Sequence, residues 1–458
     1  MLSYNPDLPI VEQYQAATVI GLGATGYSVV RYLHARGLAV RVLDSRSVPP
    51  LAEKLARHYA DVELVTGPLD YAQLADSALL IVSPGVALRE PALRKAKQAG
   101  ALLVGDIELF VQENALPIIA ITGSNGKSTV TSLVGEMCSA GGINPLVAGN
   151  IGLPVLDALT DQIEYEIAVL ELSSFQLETT SKLNAESATI LNISADHMDR
   201  YESMGDYLLA KARILRGAHR AVLPRHDAQL GQLSNVAETL SFELDEPSND
   251  SDFGVRRKSG ARLLCKGKQA FLKLQKVPLL GLHNVKNILA ALALVDFLQI
   301  PRDALVKAIT SFKGLPHRMQ TIADHNGVTW VNDSKATNIG AASTALQNLE
   351  NEVVWIAGGQ GKGADFRELR AAVNDQIKLV IVLGEDADQI VAALDDLLPI
   401  ERVDNMRQAV EVAGEQADAG SVVLLSPACA SFDMYRSFEH RGDDFVRCVQ
   451  SYTQRGAA

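Results

Sequence analysis

The chain has 458 residues, 47% of them hydrophobic and 21% charged, with a formal net charge of -12 at pH 7. This length predicts about three domains, and the composition is typical of a soluble globular protein. The negative charge argues against non-specific binding to nucleic acid or to an anionic membrane. An anionic substrate would therefore need local Lys or Arg side chains, loop amides or Mg²⁺.

The cysteines and the hydropathy pattern bear on the cellular compartment. The four cysteines form no CxxC pair and no metal-ligand spacing: Cys138, Cys265, Cys429 and Cys448. Such usage predicts a reducing cytoplasm. No apolar run is long enough to span a bilayer, and the first residues lack the charged and then apolar pattern of a secretion signal. We therefore expect a cytoplasmic protein without membrane insertion.

A nucleotide-binding pattern stands near the N-terminus. The residues Thr18-Val19-Ile20 lead into Gly21-Leu22-Gly23-Ala24-Thr25-Gly26, a GxGxxG loop that opens a helix, and the next strand closes on Asp44. In dinucleotide-binding folds this loop binds a pyrophosphate, and an acid about 20 residues further on binds a ribose hydroxyl. The pattern indicates an NAD-dependent dehydrogenase, a site for another diphosphate, or glycines needed only for packing. No acid or base for hydride transfer accompanies it.

Two neighbouring features support a ligand site in this region. Strand 79–83 ends in the turn Ser83-Pro84-Gly85-Val86, and Arg46 follows Asp44 closely. Open α/β sheets bind ligands at the carboxyl ends of their strands. The turn and Arg46 are therefore candidate contacts for a phosphate or a base.

The strongest pattern is a phosphate-binding loop. The apolar run 117–121 leads into Thr122-Gly123-Ser124-Asn125-Gly126-Lys127-Ser128-Thr129, and a helical pattern begins at Lys127. Such a loop binds a triphosphate through backbone N–H groups and the lysine, and the hydroxyl holds Mg²⁺. The glycines are separated by two residues where the common pattern has four. An ordinary helix cap at Ser124 or Asn125 is the alternative, but we predict an ATP site.

Three further motifs follow in the middle of the chain. Strand 167–170 ends in Glu171-Leu172-Ser173-Ser174-Phe175-Gln176, and an acid in this position is where NTPases place a magnesium carboxylate. Strand 188–191 ends in Asn192, and Asp196-His197-Met198-Asp199-Arg200 follows, which is either a metal or substrate ligand or only a polar turn. Asn284 and Asn287 lie on one face of a helix start, where they cap the helix or contact a ligand.

The remaining segments predict secondary structure, and only the C-terminal α/β unit also carries candidate ligand-binding residues. Residues 237–275 predict peripheral β-hairpins. After Leu315-Pro316-His317-Arg318, which marks a hinge, strands at 329–331, 353–356, 379–383 and 422–425 alternate with helical patterns and predict another open α/β unit. Two of its strand ends carry Lys362 in a glycine turn and Ser431 in a hydroxyl-rich turn, and these suit a dicarboxylate ligand.

Four of these motifs, in order, resemble those of the Mur ligase family, the ATP-dependent amide-forming enzymes that build the peptide stem of peptidoglycan. The motifs are Gly123–Thr129, Glu171–Gln176, Asp196–Arg200 and Gly314–Arg318. The resemblance covers essentially the whole chain, and this family has the same shortened phosphate loop. It implies an α/β fold of three domains. These are a Rossmann-like domain for the UDP-linked substrate (1–105), a central P-loop ATPase domain with a mostly parallel sheet and peripheral hairpins (106–314), and a C-terminal Rossmann-like domain for the incoming amino acid (315–458).

The resemblance also implies a role for individual residues. Those for ATP are Gly123, Ser124, Asn125, Gly126, Lys127, Ser128, Thr129, Asn284, Asn287, Arg318 and Asp333. Those for the UDP-linked substrate are Leu22, Thr25, Ser45, Arg46, Ser83, Gly85, Asn150 and His197. Those for D-glutamate are Thr337, Lys362, Ser431 and Phe438, and Lys335 would assist Arg318 and Asp333 at the nucleotide. The implied metal ligands are Ser128, Glu171, His197 and Lys211 as a carbamate, and the implied catalytic residues are Lys127, His197 and Lys211.

The carbamate rests on the resemblance alone. From the residues, Lys211 reads as a solvated lysine on a helix. Carbamylation would convert its cation into an anionic oxygen ligand suited to Mg²⁺, and the family implies ATP with two Mg²⁺ ions.

The implied reaction is the addition of D-glutamate to UDP-N-acetylmuramoyl-L-alanine through an acyl phosphate, by a monomeric enzyme. The matches at Ser431 and Phe438 favour D-glutamate over other amino acids. The alternatives are another amino-acid-adding Mur ligase, a folylpolyglutamate synthetase-like ligase, a dehydrogenase and a non-catalytic nucleotide-binding module. The N-terminal GxGxxG domain speaks against the folylpolyglutamate type, which starts directly at the ATP domain.

Overall fold

The computed structural model describes residues 5, 8–194, 196–198, 200–279, 281–347, 349 and 351–455. The chain forms two compact units, one of Met1–Ile193, His197–Leu274 and Asn287–Ile309, the other of Ser194–Asp196, Gln275–Lys286 and Thr310–Ala458. The described residues form three sheets of five, nine and six strands. None of their helices is both long enough and apolar enough to cross a membrane.

The first sheet is fully parallel and has the order β3-β2-β1-β4-β5. Its strands are β1 (Ala16–Ile20), β2 (Ala39–Asp44), β3 (Glu63–Thr66), β4 (Leu79–Val82) and β5 (Leu102–Val104). Its helices are α1 (Ile10–Gln13), α2 (Ala24–Ala35), α3 (Ala52–His58), α4 (Pro91–Gln98) and α5 (Asp106–Glu113). The strand order reverses between β1 and β4, and such a switch point is where open α/β sheets bind ligands. The glycine loop after β1 and the Ser83 turn after β4 both lie there.

The second sheet has nine strands in the order β14-β13-β12-β11-β10-β9-β6-β8-β7. They are β6 (Ile118–Thr122), β7 (Pro145–Gly149), β8 (Ile167–Glu171), β9 (Ser187–Ile190), β10 (Arg220–Pro224), β11 (Glu238–Phe242), β12 (Phe253–Lys258), β13 (Ala261–Lys266) and β14 (Gln269–Lys273). β12, β13 and β14 pair antiparallel, as the hairpin prediction expects, whereas β11 pairs parallel with β10 and extends the main sheet.

The helices of this part of the chain follow the strands in sequence. They are α6 (Lys127–Ala140), α7 (Val155–Thr160), α8 (Ser174–Glu178), α9 (Met204–Ala212), α10 (Ala228–Leu233), α11 (Leu282–Leu294) and α12 (Arg302–Ser311). β6 is buried at every residue and lies between β8 and β9. The loops that follow these three strands therefore meet at one edge of the sheet.

The first two sheets share one hydrophobic core. At its border α5 carries Glu108, a carboxylate only 1% exposed, which accepts hydrogen bonds from the backbone N–H (2.6 Å) and hydroxyl (2.8 Å) of Ser181. Arg31 on α2 pairs with Asp157 on α7 at 2.7 Å. The continuous core, the hydrogen-bonded carboxylate of Glu108 and the partly exposed pair of Arg31 and Asp157 join both sheets in one compact unit.

The third sheet has the order β15-β16-β20-β17-β18-β19, with only β15 antiparallel. Its strands are β15 (Gln320–His325), β16 (Val328–Asn332), β17 (Val353–Gly358), β18 (Ile377–Leu383), β19 (Ile400–Arg402) and β20 (Val422–Leu425). Its helices are α13 (Ile339–Gln347), α14 (Ala387–Leu394), α15 (Met406–Gln416) and α16 (Phe438–Arg455). Short 3-10 helices lie at Tyr71–Gln73, Arg213–Leu215, Leu274–Lys276, Asp296–Leu298 and Phe366–Ala372.

The first glycine loop depends on the absence of a side chain at Gly26. A Cβ added there would lie 1.8 Å from the carbonyl oxygen of Gly21, whereas one added at Gly23 would meet nothing within 4 Å. Because backbone must move, we expect Gly26→Ala to lower the free energy of unfolding by about 1–3 kcal/mol. Urea unfolding followed by circular dichroism measures this, with Gly23→Ala as the matched control. Equal midpoints for the two variants would contradict the packing argument.

Candidate active site

The phosphate loop takes the predicted strand–loop–helix form. It runs between β6 and α6, and Gly126 adopts a left-handed φ of +83° that favours glycine. A Cβ at Gly126 would lie 2.6 Å from Oδ1 of Asn287, which places this asparagine beside the loop. The Lys127 ammonium donates to the carbonyl oxygens of Gly123 and Ser124, at 2.9 Å each. These two hydrogen bonds hold the positively charged Lys127 side chain against the loop.

The buried carboxylate of Glu171 lies at the end of β8, the neighbour of the phosphate-loop strand. It is 1% exposed, and its Oε1 accepts from Nδ2 of Asn150 at 2.7 Å. Its Oε2 is buried without a hydrogen-bond partner among the described residues. A buried carboxylate oxygen without a donor is unfavourable unless a cation compensates it. The Oε2 atom of Glu171 is therefore a suitable ligand for Mg²⁺, which prefers oxygen ligands.

Lys211 is brought to the same loop from α9. Its side chain is 2% exposed, and its Nζ donates to the carbonyl of Gly123 at 2.9 Å and to Oγ1 of Thr122 at 3.4 Å. The ammonium also lies 4.6 Å from the ring centre of Tyr207, whose hydroxyl is 3.2 Å from Oγ of Ser124. The alternative of a solvated helix lysine is therefore wrong. No cluster of three or more His, Cys, Asp or Glu that could hold a metal occurs within the described ranges.

An aromatic contact organises the His197 segment. His197 is exposed, has a positive φ of +58°, and packs edge-on against Phe175 with 4.8 Å between ring centres. The guanidinium of Arg200 lies 4.0 Å from the same ring centre and donates to the carbonyl of Val86 at 2.7 Å. This motif of the second sheet is thus tied to the Ser83 turn of the first. Asp199 lies outside the described residues.

The first-sheet site is built around Asp44. Its Oδ2 accepts from the N–H of Leu22 (2.7 Å), and both oxygens accept from the Arg46 guanidinium (2.6 and 2.8 Å). Burial raises the pKa of Asp44, but the hydrogen bonds from Arg46 and Leu22 outweigh it and hold the pKa at about 2. Because both oxygens are engaged, this acid is not available for a ribose, as NAD binding would require. The Arg46 side chain is half exposed and Ser45 is exposed, whereas Leu22 is buried.

The Ser83 turn completes this loop cluster. Oγ of Ser83 donates to the carbonyl of Gly21 at 3.0 Å, which joins the ends of β1 and β4. Thr25 is half-buried at the start of α2, and Gly85 is exposed. The predicted UDP-site residues of this sheet therefore gather at its switch point.

In the second unit the end of β16 carries a buried acid. Oδ1 of Asp333 accepts from the N–H of Met319 (3.1 Å), and its Oδ2 accepts from the hydroxyl of Ser426 (2.9 Å). Burial raises the pKa of Asp333 to about 7, while these hydrogen bonds and the charge of Arg318 lower it less. This group can therefore change protonation near neutral pH.

Three of the predicted D-glutamate residues, Thr337, Lys362 and Ser431, lie on turns at strand ends of the third sheet, and Phe438 begins α16. The Lys335 ammonium is 3.9 Å from the ring centre of Phe438, and the backbone N–H of Thr337 donates to the Lys335 carbonyl. Lys362 is exposed with φ +52°, whereas Ser431 is 2% exposed. The turns thus present one ammonium to solvent and one hydroxyl from within the fold.

Two residues that hold these sites had no predicted role. Arg441 on α16 is 3% exposed and donates to the carbonyls of Ser334 (2.8 Å) and Cys429 (3.0 Å), and burial lowers its pKa to about 10. Asn192, after β9, bonds the phosphate loop. No motif marks the arginine, and the sequence shows only that the asparagine ends a predicted strand, not that this strand neighbours β6.

Family models match most of the chain. The model described as "Mur ligase MurD-like, N-terminal domain" matches residues 15–105. "Mur ligase middle domain" matches residues 121–295, and "Mur ligase, glutamate ligase domain" matches residues 317–429.

Curated relatives are similar over nearly their whole length. A UDP-N-acetylmuramoylalanine–D-glutamate ligase of Pseudomonas fluorescens is 48% identical over 439 residues, covering 94% of this chain and 97% of the relative. The ligase of the same name from Methylobacillus flagellatus is 46% identical over 435 residues, covering 94% and 96%.

Solved structures share the fold at low identity. The UDP-N-acetylmuramate-alanine ligase MurC of Thermotoga maritima superposes with a TM-score of 0.59 at 20% identity, covering 95% of this chain and 99% of that one. MurF of Acinetobacter baumannii superposes with a TM-score of 0.59 at 17% identity, covering 96% of this chain and 93% of that one. Folylpolyglutamate synthase of Mycobacterium tuberculosis gives 0.56 at 18%, but covers only 74% of this chain and 93% of that one.

Proposed function

The chain belongs to the Mur ligase family, and we propose that it is the ATP-dependent ligase that adds D-glutamate to UDP-N-acetylmuramoyl-L-alanine in peptidoglycan precursor synthesis. The observation that carries this function is the 46–48% identity, along nearly the whole chain, to curated ligases named for D-glutamate and UDP-N-acetylmuramoylalanine. The products are the UDP-linked dipeptide, ADP and phosphate.

The chemistry requires an activated carboxylate. A carboxylate does not condense with an amine in water, because the leaving group would be oxide. The γ-phosphate of ATP is therefore transferred to the substrate carboxylate to give an acyl phosphate. The amine of D-glutamate attacks the acyl carbon, and the tetrahedral intermediate collapses with release of phosphate. Peptide-bond formation is thus driven by cleavage of ATP.

The phosphate loop supplies most of the charge compensation. Lys127 and the amides at the start of α6 face the triphosphate, where positioned cations and dipoles stabilise charge in the transition state. Gly123, Ser124, Asn125, Gly126, Ser128 and Thr129 form the cradle, and Asn284, Asn287, Arg318 and Asp333 complete nucleotide binding. The Asn287 amide beside Gly126 supports this assignment.

Two Mg²⁺ ions would be held by Ser128, Glu171, His197 and a carbamate on Lys211. The unpaired Oε2 of Glu171 supports a cation at this edge of the sheet. Bound Mg²⁺ neutralises the phosphate oxygens. Carbamylated Lys211 keeps one N–H, which can still donate to the Gly123 carbonyl that the lysine contacts.

The substrates are assigned to separate loops. Leu22, Thr25, Ser45, Arg46, Ser83 and Gly85 bind the uridine diphosphate, and Asn150 and His197 contact the muramoyl end. Thr337, Lys362, Ser431 and Phe438 bind D-glutamate, whose two carboxylates suit an ammonium and a hydroxyl. The domains run over 1–105, 106–314 and 315–458. We further propose a cytoplasmic monomer, and the buried cysteines Cys138, Cys265 and Cys429, none in a disulfide, support a reducing compartment.

An amino-acid panel tests the proposed function. Purified protein with ATP, Mg²⁺ and UDP-N-acetylmuramoyl-L-alanine is given each amino acid in turn, and phosphate release is measured. We expect release only with D-glutamate, and none when the UDP-linked substrate is left out. Release in parallel reactions with UDP-N-acetylmuramate and L-alanine, or with the D-glutamyl product and a diamino acid, would indicate another Mur ligase. Reduction of NAD would indicate a dehydrogenase, and nucleotide binding without any turnover a binding module.

A further inference from the structure

The side chain of Asn192 bonds the phosphate loop from the loop that follows the neighbouring strand, β9. Oδ1 of Asn192 accepts from the backbone N–H of Asn125 at 2.8 Å, and its Nδ2 donates to the carbonyl of Asn125 at 3.0 Å. The backbone carbonyl of Asn192 accepts from the N–H of Ser124 at 3.0 Å. Three hydrogen bonds from one residue thus hold the two residues between the glycines.

The sheet register brings this asparagine to the loop. β9 runs parallel to β6, with Thr122 opposite Ile190, and Asn192 follows two residues later. The hydrogen bonds of Asn192 therefore continue the hydrogen-bond ladder between β6 and β9 beyond the ends of these strands.

The loop needs such a constraint because its glycines do not supply one. Gly123 and Gly126 have φ values of +156° and +83°, and glycine is the residue with the widest choice of backbone conformations. A flexible loop loses conformational entropy when it orders around a ligand, and affinity falls accordingly. Hydrogen bonds made before the ligand arrives remove this loss.

We propose that Asn192 is a positioning residue for ATP, which preorganises the phosphate loop by bonding Asn125 on both sides of its backbone. This inference rests on the proposed function, because it assumes that the loop binds ATP. Asn192 itself does not contact the reacting groups. Its side chain fixes residues 124–125, and the amides of the following helix start and Lys127 are positioned in turn.

Direct nucleotide binding tests the proposal. Calorimetry with a non-hydrolysable ATP analogue and Mg²⁺ compares the wild type with Asn192→Ala, which removes both side-chain bonds. We expect about tenfold weaker binding, since each hydrogen bond contributes modestly to the net free energy. In steady-state assays the KM for ATP should rise similarly. The KM for D-glutamate and for the UDP-linked substrate should stay within about twofold, because neither is bound by this loop.

Asn192→Asp provides a second variant of the same shape. It keeps the acceptor for the Asn125 N–H but turns a donor into an anionic oxygen facing a carbonyl, so we expect binding at least as weak as in Asn192→Ala. The matched control is Asn144→Ala. Asn144 lies just before β7, at the other end of the parallel strands, and the substitution removes a 2.8 Å hydrogen bond from its Nδ2 to the carbonyl of Glu164. The control should bind the analogue like the wild type.

The possible outcomes distinguish failure of the proposed function from failure of the positioning role. No analogue binding by the wild type would overturn the proposed function. Normal binding by the wild type and by both Asn192 variants would overturn the positioning role alone. Equal rises in all three KM values, together with a lower Tm, would show a purely structural residue and also overturn it. If Asn192→Ala does not fold, Asn192→Asp decides the question.

Discussion

Replacing Lys127 with alanine should reduce kcat by about 10²–10³, which corresponds to about 2.7–4 kcal/mol of lost transition-state stabilisation. Lys127 is the cation at the start of α6, and its Nζ donates to two carbonyls of the loop that precedes it. During phosphoryl transfer negative charge is spread over the γ-phosphate and two carboxylate substrates are nearby. A fixed ammonium is therefore worth more in the transition state than in the ground state.

The measurement is ADP release in the presence of all three substrates. Because Lys127 also bonds the loop, Tm must be recorded so that unfolding is not mistaken for lost catalysis. Lys95→Ala is the matched control, since it removes a lysine of α4 whose ammonium lies 4.3 Å from the ring centre of Tyr71, in the 3-10 helix before β4. Turnover close to that of the wild type in folded Lys127→Ala would overturn the ATP assignment.

Replacing Lys211 with alanine should abolish most turnover, by about 10²-fold or more, and added short carboxylates should restore part of it. The side chain is 2% exposed and contacts the Gly123 carbonyl, so its removal leaves a buried space beside the phosphate loop. If the working group is a carbamate, the missing chemistry is an anionic oxygen ligand. Formate or acetate can supply that ligand from solution.

Rescue distinguishes the carbamate from a plain ammonium. Activity of Lys211→Ala should rise with carboxylate concentration and not with chloride, while methylammonium should have no effect. Lys127→Ala serves as the control, because a missing cation is not replaced by an anion. Rescue by methylammonium, or no rescue at any carboxylate concentration in a folded variant, would rule out the carbamate role.

The parts of the fold that could be predicted are those that a local pattern specifies. β6 and β8 are buried at every residue and appear in the sequence as apolar runs that end on Thr122 and Glu171. The start of α6 at Lys127 is confirmed, because a glycine loop and a helix period meet there. The resemblance to the Mur ligases is confirmed by the family models and the curated relatives. The exact domain boundaries and the roles of the site residues stay predictions.

The strands that were missed lack such a pattern. β3, β15 and β19 lie at the edges of their sheets and contain no fully buried residue. Their position is set by the neighbour they pair with, which is tertiary information. β7 and β10 were also missed. β7 alternates in burial and contains Pro145, and β10 is preceded by the charged segment around Arg216.

The site residues that were missed act through backbone contacts. Asn192 and Arg441 bond to carbonyls and N–H groups from distant parts of the chain. An asparagine or arginine in such a role has no characteristic spacing in the sequence. Only the register between strands brings Asn192 beside the phosphate loop.

The contact between Arg200 and Val86, together with the core common to the first two sheets, holds the turn after β4 and the loop after β6 within one compact unit. Under the proposed assignment, a sugar nucleotide bound at the turn after β4 must reach the loop after β6 with its free carboxylate. We therefore expect the enzyme to select the length of the substrate between its pyrophosphate and that carboxylate before any side chain contacts the incoming amino acid.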